Sequence, residues 1–291
     1  MERTDTPDRT LSKNQSKVVL DLEWRGQKTV TLAEIQATLA CSDSYGRFMA
    51  HQLVKKGWLE RLRPGLYQFV PAERGRAGVG DTNPLAAGAA LITLYFFSFG
   101  TACSHHGLTE QVFSDIYLAT QTRHRAQLVR GIRYVFVSMP GDRFFGYSDV
   151  EVLGATVRMA TVERALIDAV DRPRYAGGIG EVSRIVARAS KRVRWDVVLD
   201  HAHRFNDSAL VQRLGYLLDL NNVEVSRDTW AAFGRLVRPG SKIHLGSRAK
   251  WGLHGRLARK WNVIENVPHE VLRGRDDRPK RRVTFTRQGD L

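Results

Sequence analysis

Thr31–Phe69 reads TLAEIQATLACSDSYGRFMAHQLVKKGWLERLRPGLYQF, and the spacing of its residues decides the fold of the N-terminal part of the chain. Thr31 followed by Glu34 is a capping box, in which each side chain satisfies a backbone donor of the other at a helix start. Leu32, Ile35 and Leu39 then fall at i, i+3 and i+7, one apolar stripe of a helix. Ala40–Asp43 reads as a short turn and Ser44–Lys56 as the next helix, with Tyr45, Met49 and Leu53 on its inward face and Gly57 at its end. Trp58–Leu62 and Leu66–Phe69 are two short, partly alternating apolar runs around Arg63-Pro64-Gly65, a β-hairpin signal. Upstream, Ser12–Trp24 forms a helix that Gly26 ends, with Val18, Val19 and Leu22 facing inward. Helix, helix, turn, helix, hairpin is the order of a winged helix-turn-helix.

The charge agrees with that reading. The chain has 291 residues, 43% of them hydrophobic, and a net charge of +15 with 45 basic residues, 35 of them Arg. Such a balance favours polyanionic partners, and Arg forks bidentately onto phosphates and guanine edges. Residues 1–76 carry +4, residues 77–239 carry +3 and residues 240–291 carry +8. The run from Glu73 to Pro84 is rich in Gly and poor in apolar residues, so we expect a winged-helix domain over 1–76, a linker over 77–84 and a second domain over 85–291.

In the second zone Ile116–Ala119, Ile132–Val137 and Ala155–Met159 read as strands. Leu85–Phe97, Thr161–Val170, Ile179–Ala189, Trp195–Phe205 and Ser208–Leu220 read as helices. The expected class is α+β, a winged helix-turn-helix followed by a mixed α/β domain with a helical C-terminal part. Leu85–Cys103 has no charged residue and matches a bilayer in length, yet Asn83-Pro84 starts it like a soluble helix, and Gly88, Gly100 and three hydroxyl residues interrupt it. A buried helix followed by a turn near Gly100 is the expectation. The N-terminus has no apolar signal region, and Cys41 and Cys103 are too far apart for a disulfide framework, so a cytoplasmic location is expected.

Candidate DNA contacts follow from the helix periodicity. With Tyr45, Met49 and Leu53 inward, Ser44, Arg47, His51 and Lys55 share the opposite face, with Gln52 and Lys56 beside them. Arg47 is placed to fork onto guanine, and His51 or Gln52 to reach base edges in a major groove. Arg61 and Arg63 flank the hairpin tip, where a wing meets phosphate. Near the C-terminus Trp251, Leu253, Leu257 and Trp261 recur at helix-like intervals. Arg256, Arg259 and Lys260 would then form an ordered basic face that adds phosphate contacts, ahead of the run Arg273, Arg275, Arg278, Lys280, Arg281 and Arg282.

Other chemistry lacks support. Cys103, His105 and His106 are close in sequence, but adjacent histidines rarely aim at one ion, so no metal is expected. Glu163, Asp168 and Asp171 read as residues that tie down a helix. Gly178, Gly180 and Ser183 lack the Lys-Ser/Thr of a P-loop and the third glycine of a dinucleotide fingerprint, so no cofactor is expected. No HExxH, GxSxG or kinase motif occurs, and no Glu-x-Lys of a nuclease, so the chain is not expected to be an enzyme. A nuclease with a winged-helix targeting module is the competing reading, and an RNA-binding scaffold is disfavoured because the major groove of A-form RNA is deep and narrow.

The wing, the run Gly100–Leu108 followed by Thr109-Glu110-Gln111, and Thr161–Asp168 (TVERALID) followed by Gly177-Gly178 together resemble the AbiEi family of antitoxin-like transcriptional regulators, and are similar to its mycobacterial members. The resemblance covers about residues 15–220. It implies a winged helix-turn-helix ahead of an α/β antitoxin domain. It further implies repression of the protein's own operon through double-stranded operator DNA, and counteraction of a nucleotidyltransferase toxin encoded beside it. Gly246-Ser247 begins like a nucleotidyltransferase motif, but no Asp-x-Asp follows, so the chain does not read as the toxin itself. A stand-alone regulator is the alternative.

Overall fold

The computed structural model describes residues 9–74 and 83–273. Most of the expected linker and the basic run from Arg275 to Arg282 lie outside them. The described chain is mixed α+β and divides into two compact units. One holds the residues up to Phe97 together with Ser114–Met159, and the other holds Ser98–Phe113 together with the residues from Ala160 on.

The first unit begins with α1 (Lys13–Trp24), whose Val18, Val19 and Leu22 are buried. A three-residue strand, β1 (Thr29–Thr31), leads into α2 (Leu32–Leu39). The capping box forms as expected: the Glu34 N–H donates to Thr31 Oγ1 at 3.2 Å and the Thr31 N–H donates to Glu34 Oε2 at 2.6 Å. Ala40 ends α2 in the left-handed region, φ 49°. Then come α3 (Asp43–Lys55), β2 (Leu59–Arg63) and β3 (Leu66–Phe69). β3 pairs antiparallel with both β1 and β2, so the hairpin gains a third strand that alternation alone does not reveal in so short a run. Ile35, Leu53, Val30 and Trp58 lie at the centre of this part's own core. Each fully buried Ile or Leu there contributes about 1.5–3 kcal/mol.

The same unit continues with α4 (Pro84–Leu91) and β4 (Tyr95–Phe97), then β5 (Asp115–Thr120), β6 (Gln127–Val129), β7 (Ile132–Ser138), β8 (Tyr147–Val152) and β9 (Ala155–Ala160). The sheet order is β6-β7-β5-β4-β9-β8, with β4 antiparallel to β5 and parallel to β9. The helix expected over Leu85–Phe97 is therefore shorter. Asn83 caps it through Oδ1 to the Leu85 and Ala86 N–H groups, it stops at Leu91, and Ile92 is already extended. The aromatic run Tyr95-Phe96-Phe97 suits a strand buried on both faces, so sheet pairing overrides helical continuation. Gly88 lets α4 sit close on the sheet: a Cβ there would stand 2.8 Å from the Tyr134 ring and 3.1 Å from Phe97. Across the expected linker, Arg130 pairs with Glu60 and Lys28 donates to the Gly154 carbonyl, which ties the winged helix to the sheet within one unit.

The second unit opens on α5 (Phe99–His105), where a turn near Gly100 was expected. Gly100 permits the helix because the Phe113 ring lies over it, 2.8 Å from where a Cβ would be. α6 (Val162–Asp171) is buried along Glu163–Val170, with Thr161 Oγ1 capping it at the Arg164 N–H. α7 (Ile179–Ala189), α8 (Trp195–Phe205) and α9 (Ser208–Leu220) begin and end where the apolar period places them. They are followed by α10 (Arg227–Leu236), β10 (Ile243–His244), α11 (Arg248–Trp251), β11 (Arg256–Ala258), β12 (Val263–Glu265) and α12 (His269–Arg273). β12 is central, parallel to β10 and antiparallel to β11. Gln212 pins this last part to α9, donating from Nε2 to the Ser241 and Trp261 carbonyls at 2.8 and 2.9 Å. The helix-like interval of Trp251, Leu253, Leu257 and Trp261 is a coincidence of spacing. Gly252 (φ 79°) and Asn262 (φ 53°) break the chain into a four-residue helix and two short strands, and Leu253 is exposed.

Candidate nucleic-acid interface

The candidate surface is built by the way α3 crosses α2. Its buried stripe is Gly46, Met49, Ala50 and Leu53 at i, i+3, i+4 and i+7. A Cβ on Gly46 would stand 2.6 Å from Gln36 Cγ, so the two helices meet where α3 has no side chain. Tyr45, expected inward, is displaced by that contact and stays 38% exposed. Its hydroxyl accepts from Asn14 Nδ2 at 3.0 Å. The small residues Gly46 and Ala50 were the signal for this register, since together with Met49 and Leu53 they complete a closer-packed stripe than Tyr45 allows.

The outward face of α3 carries Ser44, Arg47, His51 and Lys55, all exposed, joined by Tyr45 and by Phe48, which is 53% exposed. Gln52 is half-buried at its edge. Arg47 pairs one turn back with Asp43, Nε to Oδ2 at 2.7 Å, and Gln36 Nε2 also donates to Asp43 at 2.7 Å. The bonds from Arg47 and then Gln36 hold the Asp43 carboxyl below its ordinary value, and the bond to Asp43 raises the Arg47 guanidinium. Both side chains are fully exposed, so water competes for the pair and Arg47 is able to exchange Asp43 for another acceptor. Lys56 stands apart from the face. Its Nζ donates to the Thr10 carbonyl and to Gln15 Oε1, both at 2.8 Å, holding the segment before α1 onto the end of α3.

On the hairpin, Arg61 and Arg63 are both exposed. The β2–β3 register shifts between them, and Pro64-Gly65 turns at the tip with Gly65 at φ 76°. Leu59 and Leu62, three residues apart, both point into the core because the register shift interrupts the alternation, and Arg61 and Arg63 are left in solvent.

The three C-terminal candidates belong to the second unit. Arg256 forks onto Glu265, Nε to Oε2 at 2.9 Å and Nη2 to Oε1 at 3.2 Å. Lys260 pairs with Asp219 at 2.8 Å and lies 4.5 Å from the Trp230 ring centroid. Arg259 is exposed. The expected basic helical face is therefore a strand end and a turn on which two of the three cations have carboxylate partners.

Cys103, His105 and His106 have different surroundings, although the two imidazole rings meet edge to face at 5.0 Å. The Cys103 thiol is buried against the Ala165 carbonyl, and burial pushes its pKa up. The His106 ring bonds the Ala160 carbonyl at 2.7 Å, and burial lowers His105.

Among the described residues no helix is long and apolar enough to cross a membrane. Residues 17–70, from within α1 to the end of the wing, match the family described as a transcriptional regulator, AbiEi antitoxin. No curated protein matches the chain. Among solved structures, the crystal structure of the RV2827C protein from Mycobacterium tuberculosis has the same fold. The TM-score is 0.65 at 15% identity, over 93% of this chain and 97% of that one.

Proposed function

We propose, from the premise that residues 17–70 form the regulator segment of an AbiEi-type antitoxin, that this chain is a DNA-binding repressor of its own operon. In that reading it is also the antitoxin against a nucleotidyltransferase toxin encoded beside it. The observation that carries the reading is the exposed face of α3, with Ser44, Arg47, His51 and Lys55 in line and the two wing arginines on the same unit. A helix with such a face fits the major groove, and the wing fits adjacent phosphate. Arg47 and His51 read bases, Lys55, Arg61 and Arg63 hold the backbone, and Tyr45 and Phe48 supply apolar contact at the groove. Arg256 and Lys260 are left out of this surface because their partners Glu265 and Asp219 are less exposed than Asp43, at 8% and 35% against 62%, so losing the cation costs those carboxylates more.

The test is footprinting of the full chain on the DNA upstream of its gene, together with Arg47→Ala and His51→Ala variants. Removing a base contact lowers discrimination between specific and non-specific DNA by roughly ten- to a hundredfold. Equal weakening on both DNAs would remove Arg47 and His51 from the reading set. The antitoxin role is tested separately, by co-expressing the full-length double variant with the neighbouring gene product. Survival of the cells places protection at the protein level. Loss of protection makes it transcriptional, and the chain is then a regulator alone.

A further inference from the structure

The second unit holds a cavity of about 530 Å³, open to solvent on one side, that the regulator reading does not use, a volume within the range of small-molecule sites. Leu245, Trp251 and Val271 give it an apolar wall. Its lining includes one carboxylate, Asp171, which Arg172 Nε already pairs at 3.2 Å. Three further cations face the space: Arg174, Arg213 and Lys250.

Arg213 is the most informative. Its Nη1 donates to the Val170 carbonyl at 2.7 Å and more weakly to the Asp171 carbonyl at 3.5 Å, while its Nε is buried without a hydrogen-bond partner among the described residues. Burial lowers its guanidinium from the ordinary value against the opposing pull of Asp171 and Asp207, so a cation is kept in a poorly solvated place where its hydrogen bonds go to carbonyls. Arg174 is held 4.5 Å from the Tyr175 ring and Lys250 4.6 Å from the Trp251 ring. Aromatic faces thus position both cations at the cavity, and neither is paired with an acid among the described residues. The start of α7 completes the arrangement. Gly177 and Gly178 (φ 82° and 88°) bring the backbone to the rim, and Ile179 and Gly180 of the first turn line the space at the positive end of the helix dipole. The first-turn carboxylate, Glu181, is engaged elsewhere, with Thr109 at 2.5 Å and Arg184 at 2.7 Å.

We propose that this cavity binds a small phosphomonoester carrying a planar ring, a mononucleotide in chemical class, with its phosphate on Arg213, Arg174 and Lys250 and its ring against Trp251. Three cations around one space suit a group of charge near −2, which a phosphomonoester has and a carboxylate or a phosphodiester lacks. The inference is independent of DNA binding by α3.

Isothermal titration of the full chain with AMP, GMP, CMP and UMP tests it, with inorganic phosphate, adenosine and the diester dinucleotide ApA as comparisons. At least one mononucleotide is expected to bind saturably, at least about tenfold more tightly than phosphate, adenosine or the diester. Arg174→Ala and Lys250→Ala, at side chains whose removal leaves the core untouched, should each weaken it about tenfold, as loss of a charge-assisted bond does. Arg213→Gln should weaken it further if the variant folds. Arg47→Ala should leave nucleotide affinity unchanged. The assignment is overturned if no mononucleotide binds at millimolar concentration, or if affinity survives the Arg174→Ala/Lys250→Ala double variant. It is equally overturned if the diester binds as well, which makes the site one for a nucleic-acid strand, or if Arg47→Ala abolishes the signal, which moves it to the α3 face.

Discussion

Arg164 and Asp168 lie one turn apart on α6, both essentially inaccessible to solvent, with Nε and Oδ2 2.9 Å apart. The Ser98 hydroxyl donates to the same Oδ2 at 2.5 Å, and the Arg164 guanidinium lies 4.7 Å from the Phe205 ring. The TVERALID segment is thus a structural pin rather than a carboxylate site: Arg and Asp are there because each makes the other's burial tolerable. Replacing Arg164 with Met leaves a buried carboxylate without its cation, and we expect a loss of about 3–5 kcal/mol in urea unfolding, most of it restored when Asp168→Leu is added. A loss below about 1 kcal/mol would show that the pair holds nothing. His201, nearby, is shifted down by burial and then by Arg164, against the opposing pull of Asp200 and Glu163. Its unfolded value is about 6.5. Below that pH the unfolded chain takes up a proton that the folded chain resists, so this contribution to stability is complete above pH 6.5 and is lost as pH falls. Unfolding curves from pH 8 to pH 5 should therefore drop less steeply below 6.5 in His201→Gln than in the parent, and parallel curves would contradict this.

At the scale of elements, the wing is where function and local sequence coincide most simply. Arg61 and Arg63 project from a strand whose Leu59 and Leu62 are anchored in the core, and neither arginine has a base-reading geometry imposed by a helix. We expect Arg61→Ala/Arg63→Ala to weaken specific and non-specific DNA equally and to lower the slope of log affinity against log salt by about 0.9 for each phosphate that is no longer neutralised. A selective loss on the specific site would instead make the wing a reader. The hairpin was legible because Pro64-Gly65 and the short apolar runs on either side of it are local, and so was the start of α2, because a capping box acts within four residues. The register of α3 was not legible from apolar spacing alone. Tyr45 satisfies the period as well as Gly46 does, and the small residues Gly46 and Ala50 become decisive through the close approach of Gln36.

Across the whole molecule, a net charge of +15 does not mean fifteen cations available to DNA. Arg256 and Lys260 are exposed but matched by Glu265 and Asp219, whereas Lys55, Arg61 and Arg63 are exposed with no carboxylate partner among the described residues. We expect Arg256→Ala/Lys260→Ala to leave the salt slope of DNA binding unchanged. A fall of about 2 in that slope would mean that both exchange their carboxylates for phosphates.

Local order was thus readable in the residues themselves: the winged-helix sequence of elements, the capping of α2 and α6, the extents of α7, α8 and α9, and the basic face of α3. Each of these rests on a period or a cap that operates within about four residues. What spans longer distances was decided only by packing. Tyr95-Phe96-Phe97 became a central strand because β5 and β9 pair with it, and Gly100 sits inside a helix because Phe113 covers it. The apolar interval from Trp251 to Trp261 resolved into the end of α11, β11 and a turn because Gln212 and the pairing of β11 with β12 hold that region from elsewhere in the chain. Periodicity records which residues want burial, but the partner that buries them lies tens of residues away, and its identity is a property of the folded chain alone.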